Sequence, residues 1–190
     1  MSRDVRNEKT EARIKGALLQ TLSVKPFTET SVSELAHEAQ VSRTSIYTHF
    51  GSLEGVFRAA VSDVFYRAKT LKGQLKCPSC TSKDTKMPFC ALVREEGEYW
   101  ALTHDAHFLP TALDMCFNGE LHADLMMDLQ SSGWSQTTIE ALIRFQKSGC
   151  YAAACVTTES GSWDETREAL DVFIRGGLNA LRNVHSSRLA

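Results

Sequence analysis

Residues 41–50, "VSRTSIYTHF", crowd into one short stretch side chains of the types that can contact nucleic acid. Ile46 and Phe50, with Val41 just before them, fall on one side at helical spacing, which leaves Arg43, Thr44, Tyr47 and Thr48 on the other. An Arg donates to guanine edges or to phosphates. Thr offers a hydroxyl to phosphate and a methyl to thymine, and a Tyr hydroxyl reaches phosphate while its ring fills space. A solvated surface helix would carry the same polar face, and these ten residues alone do not choose between the two readings.

A second constellation is built on sulfur. Cys77 and Cys80 have the spacing of a zinc knuckle or a redox pair, Cys90 could be a third ligand, and His104, His107 or Cys116 a fourth. One Cys-x-x-Cys without a second pair is a weak pattern, and a loop with incidental thiols explains it better, so no metal is expected. Enzyme chemistry has still less behind it. No Gly-rich phosphate loop, Gly-x-Ser-x-Gly elbow or His-Glu-x-x-His helix is present, so the expectation is a non-enzyme without a cofactor.

The elements that must position the polar face are helices. Ile14, Ala17, Leu18, Thr21 and Leu22 form one stripe that Pro26 ends. Ser31 and Glu34 then make a Ser-x-x-Glu capping box for a short helix with Val32, Leu35, Ala36 and Ala39 inside. Three residues, "QVS", separate it from the helix that Ser42 caps and Gly51 ends, which is helix-turn-helix spacing. A long helix follows Ser52, with Leu53, Val56, Phe57, Ala60, Val61, Val64, Phe65 and Ala68 on one face.

Residues 73–88 break the pattern with two prolines, a glycine and a polar cluster, which marks a loop and a domain junction. Beyond it the periodicity predicts helices over residues 89–102, 109–117, 120–130, 136–157 and 162–183. The expected fold class is all-α with about nine helices. The expected domains are residues 1–52, a three-helix helix-turn-helix domain, and residues 53–190, a helical effector-binding and dimerisation domain in which 53–72 connect and 73–88 loop.

Charge and hydropathy bound the partners. Residues 1–76 hold twelve Lys/Arg against eight Asp/Glu (+4), residues 77–190 nine against fifteen (−6), and the two sum to the net −2. A polyanion would meet the front half. No apolar run is long enough for a membrane span and the start of the chain is polar, so no membrane contact, a cytoplasmic location and reduced thiols are expected.

The stretch "FTETSVSELAHEAQVSRTSIYTHFGSLEGVF" resembles the N-terminal domain of TetR-family transcriptional regulators. The matching positions are Phe27, Thr30, Ser31, Val32, Leu35, Ala36, Val41, Ser42, Tyr47, His49, Phe50, Ser52 and Glu54, in order and at the right spacing over about residues 10–60. Two positions depart from the family pattern. Gln40 stands where a Gly is common, and Leu53 where a Lys often supports the DNA backbone, which implies one phosphate contact fewer.

The resemblance implies a homodimer that binds a pseudo-palindromic double-stranded operator as a repressor and is modulated by a small-molecule effector. It places Arg43, Thr44 and Tyr47 at bases or phosphates, and Ser31, Ser42, Thr48 and His49 at the backbone; His49 could instead be a satisfied helix-end histidine. It also implies an effector cavity in the rear, for which the candidates are Tyr99, Trp100, His104, Phe108, Met115, Phe117, Met126, Trp134 and Phe145, each of which could be plain core. Small residues in the last two predicted helices, Gly149, Ala152, Ala153, Ala154, Gly176 and Gly177, suit close pairing with their copies in a four-helix interface. Two alternatives stand beside this reading: a metal- or thiol-responsive regulator using Cys77, Cys80 and Cys90, and a partner-binding helical module whose DNA-reading head has decayed.

Overall fold

The computed structural model describes residues 3–70, 89–117, 123–156 and 160–186, and among these the regular structure is entirely helical. Ten α-helices occur in the order α1 (Arg3–Leu22), α2 (Val32–Glu38), α3 (Arg43–Phe50), α4 (Leu53–Thr70), α5 (Phe89–Val93), α6 (Trp100–His104), α7 (Phe108–Phe117), α8 (Ala123–Ser131), α9 (Gln136–Val156) and α10 (Ser160–Ser186). A 3-10 turn, Phe27–Glu29, precedes α2. No described helix is long and apolar enough to cross a membrane.

One predicted helix becomes two. The expected helix over residues 89–102 is interrupted between α5 and α6, where Gly97 takes φ +147° among Glu95, Glu96 and Glu98. That backbone conformation is open to glycine and closed to a regular helix. The break accounts for ten helices among the described residues where about nine were expected. The loop expected at 73–88, with Cys77 and Cys80, lies outside the described residues.

The described residues form two compact units, one from those of 3–66 and 96–111, the other from those of 67–95 and 112–186. In the first unit the apolar stripes close on one another. Ile14, Leu18, Leu35, Ile46, Val56, Phe57, Leu102 and Phe108 have no solvent exposure, and each such side chain contributes about 1.5–3 kcal/mol of burial. Lys15 of α1 pairs with Asp63 of α4 at the edge of this core.

In the second unit, Leu129, Ile139 and Ile143 make a buried cluster against which Trp134, Leu178 and Leu181 pack. Trp134 donates its indole N–H to the carbonyl of Leu181 at 3.0 Å, which satisfies the polar atom that its burial brings along. Short α5 lies along α9, with Cys90, Leu92 and Val93 buried beside Cys150 and Ala154. Arg94 ties that contact down by donating to the carbonyl of Ala154 at 3.0 Å, with its guanidinium 4.8 Å over the Trp163 ring.

Candidate nucleic-acid interface

α2 starts at the capping box that its sequence encodes. Ser31 Oγ accepts from the Glu34 N–H (3.2 Å), and the Ser31 N–H and hydroxyl both donate to the Glu34 carboxylate (3.0 and 2.8 Å). Lys25 Nζ adds a third donor at 2.7 Å. The side-chain bond from Lys25 first, and then those from Ser31, lower the Glu34 pKa from the usual 4.5 to about 2. The Ser31 hydroxyl therefore works first as a helix cap.

α3 is held from both ends and presents one face outward. Ser42 caps it, its Oγ accepting from the Ser45 N–H at 3.1 Å, and Gly51 ends it at φ +75°. Ile46 is fully buried underneath. Arg43, Thr44, Tyr47 and Thr48 are exposed, Tyr47 by 54% although it is a large aromatic. Thr48 donates its hydroxyl back to the carbonyl of Thr44 at 2.8 Å, which leaves that oxygen able to accept a further bond. His49 lies inward: its Nδ1 is 3.1 Å from the Glu11 carboxylate of α1, and its side chain is 15% exposed. The structure thus brings Arg43, Thr44 and Tyr47 together on one open surface, while Ser31, Ser42, Thr48 and His49 make bonds within the chain.

Leu53, where a cation was expected, is half-buried at the start of α4. The α4 start is capped by Ser52, whose Oγ accepts from the Gly55 N–H at 3.0 Å.

Two further supports of this surface were not read from the sequence. Gly55 lets α4 begin hard against the end of α3, because a Cβ there would sit 1.9 Å from the carbonyl oxygen of Phe50. A glycine inside the first turn of a strongly patterned helix was the available signal. Asp105, between α6 and α7, is nearly buried and accepts from the N–H groups of Phe27 and His107, both at 2.8 Å. His107 Nε2 lies 2.8 Å from Glu54 of α4, and its ring packs against Phe27 and Phe57. The corner at 105–107 therefore grips the chain just before α2 and just after α3. A hydrogen bond across 78 residues has no local sequence signal.

The match with known proteins falls on this surface. Residues 16–60 fit the family model of bacterial regulatory proteins, tetR family. The front of the chain is a TetR-family DNA-binding domain. A chain built on this TetR-type head is a DNA-binding transcriptional regulator. Comparisons with curated proteins and with solved structures return no match.

The rear candidates are distributed between the two units. Tyr99, Trp100, His104 and Phe108 belong to the first unit, where the Trp100 and His104 rings stack at 3.7 Å and Phe108 is core. Met115, Trp134 and Phe145 belong to the second, and the side chains of Phe117 and Met126 lie outside the described ones. Within the second unit, α8, α9 and α10 line an apolar cleft of about 270 Å³ that includes Ile143, Phe145, Cys150, Phe173, Gly177 and Leu178. Of the candidates whose side chains are described, Phe145 lines it. No cluster of three His, Cys, Asp or Glu side chains placed to hold a metal occurs among the described residues.

Proposed function

We propose that the chain is a homodimeric repressor of the cytoplasm, which acts by binding rather than turnover, and whose grip on a pseudo-palindromic operator is modulated by a small-molecule effector bound in the rear. The observation that carries the DNA-reading part is the open face of α3. Arg43, Thr44 and Tyr47 are exposed on a helix whose ends and underside are fixed, so the cost of ordering their backbone is already met before DNA arrives. In this reading Arg43, Thr44 and Tyr47 meet bases or phosphates, and Ser42 and Thr48 the backbone. Ser31 and His49 join them through whatever bonding capacity their internal partners leave.

Binding of a labelled duplex from upstream of the chain's own gene tests this. Arg43→Ala and Tyr47→Ala each weaken it by about 1–3 kcal/mol if they meet base edges, and affinity falls steeply with added salt. Unchanged binding by both variants removes the assignment.

The dimer part is supported by α9 and α10. Phe145 (70% exposed) and Phe173 (69%) stand exposed at the apolar cleft, and Gly149 and Gly177 keep its walls low. A second copy of the same helix pair would cover them, as a four-helix interface does. Phe173→Glu places a charge in that contact, and sedimentation that stays dimeric for this variant refutes the arrangement. The effector part rests on the family resemblance, and titrating candidate ligands against operator release examines it.

A further inference from the structure

Gln40 is the one non-glycine residue with a positive φ (+51°) among those described, and it sits in the turn between α2 and the reading helix α3. The turn closes through a bond from the Val41 N–H to the Ala36 carbonyl at 2.9 Å, which needs a left-handed residue at position 40. A Gln side chain resists that conformation, because its Cβ crowds the following carbonyl. The same turn leaves the carbonyls of Ala39 and Gln40 without partners from α2.

Arg13 of α1 supplies what is missing. Its Nη2 donates to the Ala39 carbonyl at 2.7 Å and to the Gln40 carbonyl at 2.9 Å. A cation there also lies at the negative end of the α2 dipole. Two residues earlier, Glu11 holds His49 in the last turn of α3. Side chains 11 and 13 of one helix thus reach the two ends of an eight-residue helix, the chain just ahead of it and its last turn.

We propose that α1 is an orienting clamp for the reading helix, in which Arg13 holds the strained corner at Gln40 and Glu11 holds the far end through His49. Arg13 and Glu11 are positioning residues: they fix the angle at which Arg43 and Tyr47 are offered and need not touch the DNA. The inference rests on the DNA-reading proposal above. It extends that proposal to residues that neither the capping pattern nor the apolar stripes single out.

The test compares affinities of the full chain for its own upstream duplex and for a scrambled duplex of equal length. A wild-type protein that binds both equally would be the failure of the DNA-reading proposal itself, and the clamp would lose its purpose with it. Given wild-type selectivity, Arg13→Ala is expected to cut specific affinity about tenfold while changing scrambled-duplex affinity less than about twofold, as misorientation does and partial unfolding does not. Glu11→Ala is expected to cut selectivity about threefold through the weaker far-end bond. Gln40→Gly removes the strain that Arg13 opposes, so Arg13→Ala/Gln40→Gly should recover selectivity to within about threefold of wild type. Equal losses on both duplexes for Arg13→Ala, or a double variant as unselective as Arg13→Ala alone, overturns the clamp.

Discussion

Removing the carboxylate of Asp105 should loosen the reading head from a site far from α3 in sequence. The residue is 9% exposed, and its carboxylate accepts two backbone N–H groups, each at 2.8 Å. In Asp105→Ala the buried Phe27 N–H keeps its desolvation cost and loses its partner, which costs about 1–3 kcal/mol. The half-buried His107 N–H adds about 1 kcal/mol, since water reaches part of it. The expected destabilisation is therefore about 2–4 kcal/mol. With a urea slope of about 1–3 kcal/mol per molar, the unfolding midpoint falls by roughly 1 M or more. Asp105→Asn should fall between, because its single carbonyl oxygen accepts one N–H and its amide group opposes the other. Amide exchange gives the site-specific readout: the Phe27 N–H should lose protection in Asp105→Ala ahead of the amides of α4. A midpoint within about 0.2 M of wild type, or a Phe27 amide as protected as before, refutes the idea that this carboxylate anchors the turn before α2.

Gly55→Ala drives a methyl into the Phe50 carbonyl from 1.9 Å, where the opposing atom is backbone and cannot rotate away. A loss of about 3 kcal/mol or more is expected in thermal melts, with specific DNA binding lost alongside, and a wild-type melt would show that α4 can shift without cost. Acid should weaken the head through Glu34. Its pKa is about 2 in the folded chain against the usual 4.5, so the stability it contributes is complete above about pH 4.5 and disappears as pH falls toward 2. Glu34→Gln should therefore show a shallower loss of stability across that window, and superimposable acid limbs would exclude the linkage.

The front of the chain was legible because its signals are local. A capping box reads itself from two residues three apart, and the α4 stripe from a spacing repeated over four turns; both depend on what a helix does with its own neighbours. The split of residues 89–102 was missed for the opposite reason. Apolar residues continue on helical spacing across the break, while Gly97 with its three flanking glutamates decides the backbone by conformation and charge, which a periodicity count does not weigh.

The same division separates what could be read of the site from what could not. Arg43, Thr44 and Tyr47 were expected on one face by type and spacing, and that face is exposed. Their supports, Arg13, Gly55 and Asp105, act on backbone groups: two carbonyls at the corner, one carbonyl at the end of α3, and the N–H of Phe27. Every residue carries such groups, so nothing in the identity of Ala39, Phe50 or Phe27 advertises the bond. A buried or strained backbone group nevertheless needs a partner, or room, as firmly as any side chain. The contacts that Arg13, Gly55 and Asp105 make around α3 therefore fall on atoms that the one-letter code does not distinguish. Substitutions at the supporting residues should accordingly alter DNA selectivity without touching any residue of the exposed face.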